Sequence, residues 1–287
     1  MEIKPKAIFL DMDGTILNHK NLVSIHTKEI IDQLRNQGKF VFIATGRAID
    51  EIEGLVPKGF QVDGVVTSNG MAGYVGEKAI FKHSLPLNLV EEIIKRAREN
   101  EVYYELFPYG LDRITLRQDR KYVENEITEP KPESVGTNEW LSRKEAINEK
   151  IMWVDEIVGK EFSKFYFFAK SKEHINHWKK ELERLKKEID FTTSISSNHN
   201  VEVMAANVNK ATGIQQMLKH FHLSDTEAMA IGDSDNDLPM LRLVHYSVAM
   251  KNAPDSIKEI VDDVTEFTCD EDGVAYYLKK RFLSEQY

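Results

Sequence analysis

The sequence predicts an α/β protein: a doubly wound parallel sheet, Rossmann-like in plan, interrupted by an inserted α+β domain. Three observations carry this expectation. Short apolar runs such as Ala7-Ile8-Phe9-Leu10 and Ala228-Met229-Ala230-Ile231 have the composition of strands buried on both faces. Amphipathic helical stretches separate such runs at both ends of the chain, the order of right-handed strand-helix-strand crossovers. Between about Ser84 and Met204 the order changes to helices alternating with pairs of strands, the pattern of a separate unit. Residues 1–83 and 205–287 are therefore assigned to the core, and 84–204 to the insert.

The elements follow in order. After the strand Ala7 to Leu10 comes the acidic stretch Asp11-Met12-Asp13-Gly14-Thr15, then a helix from about Thr27 to Asn36. Ile30, Ile31 and Leu34 give that helix one apolar stripe, and Gly38 stops it. The strand Lys39 to Ala44 runs into Thr45-Gly46-Arg47 just before another helical segment, and a third strand, Val62 to Thr67, ends in Ser68-Asn69-Gly70. In the insert, a helix from Leu89 to Asn100 precedes strands Val102 to Phe107 and Arg113 to Arg117. Ser142-Arg143-Lys144-Glu145 fits a helix-starting capping box. Strand Phe162 to Ala169, helix Ser171 to Ile189 and strands Phe191 to Ser196 and Val201 to Met204 complete the insert. The first alternation then resumes with helix Lys210 to His220, strand Ala228 to Ile231, helix Leu238 to Leu243 and strand Tyr246 to Met250. Helical stretches from Pro254 to Val261 and from Gly273 close the chain.

Composition narrows the function. With 287 residues, 41% hydrophobic and 30% charged, the chain is expected to be globular, with one large or two ordinary domains. No apolar run approaches the roughly 18 residues of a membrane span, and Met1 to Lys6 carries no leader pattern. A cytoplasmic protein without a membrane partner is the expectation. Cys269 is the only cysteine, so an intramolecular disulfide is impossible and a cysteine zinc site is excluded. A formal charge of -9 argues against a general nucleic-acid surface. Small anionic substrates remain compatible, because they respond to the local field of a cleft and its metal. Composition leaves the oligomeric state open.

The chemistry concentrates where strands end. Asp11 and Asp13 leave the carboxyl end of a central strand, where ligands bind in open α/β sheets. Two such carboxylates repel unless a cation lies between them or one holds a proton. The ionised one is a usable nucleophile, and a neighbour with a raised pKa can protonate a leaving group. The rival reading is a solvated acidic turn, since Asp and Gly favour turns. Asp233, Asn236 and Asp237 supply a second acidic loop, and oxygen ligands from two loops at one sheet edge suit Mg²⁺. An EF-hand fails because Leu238 and Val244 stand where glycine and glutamate are required. Thr45 and Gly46 offer a hydroxyl and an N–H at a helix start, an anion site unless Thr45 merely caps the helix. Lys210 adds a positive point charge, unless it is an ordinary solvated lysine.

In this order and around this insert, the motifs resemble the haloacid dehalogenase superfamily, and within it the Cof-like phosphatases of type IIB. Asp11-Met12-Asp13-Gly14-Thr15 resembles the first motif, Ala44-Thr45-Gly46-Arg47 the second, Lys210 the third and Gly232-Asp233-Ser234-Asp235-Asn236-Asp237 the fourth. The family's Gly-Asn-Ala after the fifth core strand is here Lys251-Asn252-Ala253. The resemblance implies that Asp11 attacks phosphorus and that Asp13 serves as acid and base. It further implies Mg²⁺ held by Asp11, the Asp13 carbonyl and Asp233, with Asp237 supporting its water shell. Phosphoryl oxygens would be met by Thr45, Gly46, Lys210, Asn236 and the Met12 N–H. The insert would act as a cap selecting a small phosphorylated metabolite of the sugar-phosphate or nucleotide type. A phosphomutase or phosphotransferase on the same fold, or a non-catalytic sugar-phosphate-binding protein, are the alternatives. Absence of G-x-G-x-x-G disfavours a nicotinamide enzyme, and Phe60 after Gly59 disfavours a P-loop. His174 and His177 lack a third ligand, and Trp140, Trp153 and Trp178 fit the insert's own core. Arg47 either ties its loop to substrate or insert or forms a surface ion pair.

Overall fold

The computed structural model describes residues 5–283; Met1 to Lys4, part of the stretch without a leader pattern, lie outside them. The chain forms two compact units, Met1–Lys82 with Asn209–Tyr287, and His83–Val208.

The first unit opens with β1 (Ala7–Leu10), α1 (Ile25–Asn36), β2 (Phe40–Ala44), β3 (Gly64–Thr67), β4 (Ala72–Val75) and β5 (Lys78–Lys82). Helix α1 begins two residues before the expected Thr27, because the Ser24 hydroxyl accepts from Thr27 N–H at 2.9 Å and caps it. The segment between β2 and β3 departs from the expectation. It forms two 3-10 turns, Ile49–Glu51 and Glu53–Leu55, and no α-helix. Gly54, Pro57 and Gly59 crowd this stretch, and they are poor helix residues. The β4–β5 hairpin was not legible as strands; it lies at the sheet edge, where β5 is only partly buried and lacks an unbroken apolar run.

The second unit runs α2 (Leu87–Glu99), β6 (Tyr103–Pro108), β7 (Ile114–Leu116), α3 (Arg120–Asn125), α4 (Thr137–Glu145), β8 (Met152–Val154), β9 (Phe162–Phe168), α5 (Lys172–Leu185), β10 (Phe191–Ser194) and β11 (Asn200–Ala205). Its sheet has the order β10-β11-β9-β6-β7-β8. On one face, Ile93, Ile175, Trp178 and Leu182 pack on Tyr104, Leu106, Phe165 and Phe167. On the other, Trp140 and Ile147 meet Tyr103 and Phe168, with Trp153 packed against the same cluster. The proposed capping box is corrected here. Helix α4 starts at Thr137, and Ser142 falls in its last turn. Trp140 and Arg143, three residues apart and both buried, set the helix on the sheet and carry Ser142 with them.

The first unit resumes with α6 (Lys210–His220), β12 (Ala228–Gly232), α7 (Leu238–Leu243), β13 (Tyr246–Ala249), α8 (Asp255–Lys258), β14 (Asp263–Val264) and α9 (Gly273–Leu278). Helix α8 is shorter than the expected Pro254 to Val261. Among the described residues the sheet order is β14-β13-β12-β1-β2-β3-β4-β5, parallel from β14 to β3 and antiparallel at the β4–β5 edge. The chain builds outward from β1 on one side and from β12 on the other, so the topological switch point lies between them. Alternate residues of β1 point to opposite faces. Ile8 and Leu10 pack with Ile30, Ile31 and Leu34 of α1 and Val274 and Leu278 of α9. Ala7 and Phe9 share the other core with Ile214 and Met217 of α6 and Met240 and Leu241 of α7. Each fully buried Leu, Ile, Phe or Met contributes about 1.5–3 kcal/mol. The sheet edge that carries the acidic loops is thus held rigidly from both faces.

Candidate active site

Strand register brings three loops to one edge. Leu10 pairs with Ile43 of β2 and with Ile231 of β12, so Asp11, Thr45 and Asp233 each follow one or two residues past a shared level. Asp11 N–H donates to Ile231 O at 3.1 Å, which fixes the Asp11 backbone to the neighbouring strand. The Met12 carbonyl accepts Thr15 N–H at 3.1 Å and Leu17 N–H at 2.8 Å, closing the turn, and the Met12 side chain is buried.

Lys210 is the first residue of α6, behind an Asn209 cap that accepts from Thr212 N–H. It is fully buried, which excludes the solvated-lysine reading. Its Nζ donates to Asp11 Oδ1 and to Asp237 Oδ1, each at 2.6 Å. The other Asp237 oxygen accepts Asp233 N–H at 2.9 Å and Ser234 N–H at 3.1 Å, so this carboxylate shapes its own loop. Asp11, Asp233 and Asp237 bring carboxylate oxygens within 4.8 Å of one another. One ammonium faces three carboxylates.

That imbalance governs the protonation of the site. Burial, and then the Asp237 charge, push Asp11 up from 3.8 to about 7. Burial and the Asp11 charge push Asp233 up to about 9. Burial alone would lower Lys210, but the Asp11 and Asp237 carboxylates outweigh it and hold the lysine above its ordinary value. The acidic cluster is short of positive charge, and its oxygen donors suit a hard divalent cation. The turn packs tightly on the cluster: Gly14, at φ +77°, passes Asp233 so closely that a Cβ there would stand 2.3 Å from Asp233 Oδ2.

Asp13 is set apart from this cluster. Its side chain is 53% exposed, and the Arg47 guanidinium grips it through Nε to Oδ2 at 2.9 Å and Nη2 to Oδ1 at 2.6 Å. Thr45 is fully buried and accepts Arg47 N–H on Oγ1 at 3.1 Å. Since no α-helix follows Thr45 and Gly46, the helix-dipole argument for an anion site there is withdrawn; a hydroxyl and a loop backbone remain. Asn236 is partly buried and accepts the Ser234 hydroxyl on Oδ1 at 2.7 Å, which leaves its amide nitrogen to offer.

Asn252 escaped sequence reasoning. Its Nδ2 donates to Gly14 O at 2.8 Å while its Oδ1 accepts Cys269 N–H at 3.0 Å, fastening the acidic turn. The Lys251-Asn252-Ala253 triplet had drawn attention only to Lys251. Lys251 stays outside the left-handed region, with its N–H on Thr265 Oγ1 at 2.8 Å, so lysine fits the backbone there. His174 and His177 both turn to Asn100, and His174 also to Glu126.

Similarity to known proteins agrees with this geometry. A family model of haloacid dehalogenase-like hydrolases matches residues 8–278. The 5-amino-6-(5-phospho-D-ribitylamino)uracil phosphatase YcsE of Bacillus subtilis is 30% identical over 274 residues, covering 96% of this chain and 94% of its own. Phosphatase YwpJ of the same organism is 28% identical over 289 residues, covering 96% and 99%. Among solved structures, a haloacid dehalogenase-like hydrolase from B. subtilis matches with a TM-score of 0.80 at 26% identity, covering 96% of this chain and 99% of that one. A subclass IIB sugar phosphatase matches with a TM-score of 0.70 at 25% identity, covering 96% and 98%.

Proposed function

The chain belongs to the haloacid dehalogenase-like hydrolases and is a phosphoric monoester hydrolase, and we propose that it hydrolyses small phosphorylated metabolites with Mg²⁺, carrying the phosphoryl group on Asp11. The observation that carries this reading is the buried Lys210 ammonium shared by Asp11 and Asp237 beside Asp233. Lys210 holds Asp11 Oδ1, which leaves Oδ2 as the attacking oxygen. As the Asp11 oxygen bonds to phosphorus in line, the ester P–O bond breaks. Asp13 gives its proton to the departing alkoxide. It then takes a proton from the water that attacks phosphorus, and phosphate leaves with Asp11 restored.

Asp13 must leave Arg47 to reach the leaving oxygen, and its exposure leaves it room to turn. The Lys210 ammonium, the Thr45 hydroxyl, the Asn236 amide and the Met12 and Gly46 N–H groups are assigned to the phosphoryl oxygens. Mg²⁺, assigned to Asp11, the Asp13 carbonyl and Asp233 with Asp237 supporting its water shell, would neutralise carboxylate and phosphoryl charge. Substrate selection is assigned to the second unit, because the catalytic loops have little left with which to recognise a leaving group. The relatives named for a phosphorylated ribitylaminouracil support a small polar phosphomonoester. A phosphate-release screen over such compounds tests the reading. Turnover should need Mg²⁺ and stop with EDTA; activity indifferent to chelation would remove the metal from the mechanism.

A further inference from the structure

Among the described residues, a second set of ligand-type side chains converges in the first unit, made of residues other than Asp11, Asp233 and Asp237. His19 lies in the turn after the acidic loop, and Cys269 and Asp270 lie just before α9. An imidazole nitrogen, the Cys269 sulfur and an Asp270 oxygen all fall within 4.8 Å of one another. The single cysteine rules out a site built from cysteines. It does not bear on a mixed set in which His19 lies 250 positions from Cys269.

We propose that His19, Cys269 and Asp270 form a cation site for a thiophilic divalent ion of the zinc class, with solvent in the fourth position. Zinc bonds of about 2.0–2.3 Å place tetrahedral ligands ~3.5 Å apart, so small side-chain rotations would close the set onto one ion. The frame is already built. His19 N–H donates to Asp270 Oδ1 at 2.7 Å while the imidazole Nδ1 meets Oδ2, and Cys269 N–H is held by Asn252.

The donor chemistry separates this site from the catalytic one. Sulfur and nitrogen select zinc-class ions, whereas the oxygen-only cluster suits Mg²⁺. A ligating thiol gives up its proton as the metal binds. His19 is exposed and gives the ion a way in.

The test is cobalt titration of the metal-free full chain with Mg²⁺ in excess to occupy the oxygen site. One equivalent of Co²⁺ should raise a near-ultraviolet thiolate-to-cobalt charge-transfer band, and Zn²⁺ should bleach it. Because the chain has one cysteine, Cys269→Ser should remove the band. The exposed variants His19→Ala and Asp270→Asn, which leave the sulfur in place, should each weaken cobalt binding by about tenfold or more. Absence of the band in the folded wild type would overturn the proposal. So would a band of unchanged affinity in both exposed variants, since a thiol acting alone would then be binding the ion.

Discussion

Each unit buries a cluster of charges, and the two clusters are balanced in opposite ways. In the second unit, Glu105 is fully buried between Arg113, 2.8 Å from Oε2, and Arg143 and the Tyr103 hydroxyl on Oε1. Burial alone would raise Glu105, yet the two guanidiniums and the tyrosine hold it below its ordinary value. Both guanidiniums also lie over aromatic rings, Arg143 on Tyr166 at 4.1 Å and Arg113 on Phe107 at 4.7 Å. In the first unit, Asp11 and Asp237 share one ammonium beside Asp233, and Asp11 and Asp233 are driven up to about 7 and about 9. A carboxylate held between cations is a structural tie, while a carboxylate cluster short of positive charge is the kind of site a divalent cation suits.

Substitutions should separate the two roles. Asp11→Asn removes the nucleophile and should cost on the order of 10⁴-fold or more in turnover. The same change relieves repulsion, so the metal-free melting temperature should hold or rise; a folded Asp11→Asn protein with near-full activity would contradict the assignment. Asp13→Ala should lose about 10²–10⁴-fold with alkyl phosphates. The loss in the pre-steady-state phosphorylation burst should be smaller with p-nitrophenyl phosphate, whose leaving group needs little protonation. Equal impairment for both would show that Asp13 acts through structure or metal. In the cation-rich cluster, Glu105→Ala leaves two buried guanidiniums uncompensated and should cost about 3–5 kcal/mol in denaturant unfolding. A stability loss within about 0.5 kcal/mol would show that the cluster is dispensable.

A further effect is on pH. Asp11 and Asp233 bind protons more tightly folded than unfolded, so their contribution to stability is full below about 3.8 and is lost as pH rises through about 7 and about 9. Metal-free protein should therefore lose about 1.4 kcal/mol per pH unit for each of these carboxyls that must ionise. Mg²⁺, by replacing protons, should flatten that slope, and Asp233→Asn should reduce it. A metal-free slope identical in wild type and Asp233→Asn would contradict this origin.

The fold class was legible because its strands announce themselves: Ala7–Leu10 and Ala228–Gly232 are buried along their whole length, so every position is apolar or small. The acidic strand ends were legible for the same reason, as polar residues directly after such runs. Edge and half-buried elements were not. The β4–β5 hairpin and the short β8 lack continuous apolar runs, and the turn chemistry between β2 and β3 prevailed over helical spacing. Within the site, residue types could be read but partners could not. Lys210 is separated from Asp11 by 199 positions, and only the sheet order brings them together. The Arg47 grip on Asp13 spans 34 positions and was one of several readings open to an arginine there. Asn252 is an ordinary amide until the structure shows it bonded to Gly14 and Cys269 at once.

The claim that Asp11 carries the phosphoryl group is tested most directly by acid-quenching the enzyme during turnover and mapping phosphorylated peptides by mass spectrometry. The account expects one phosphoryl group, on the peptide containing Asp11, rising in the burst and absent from Asp11→Asn. Steady phosphate release under quench conditions shown to preserve acyl phosphates, with no label on Asp11 or with the label on another residue, would contradict it.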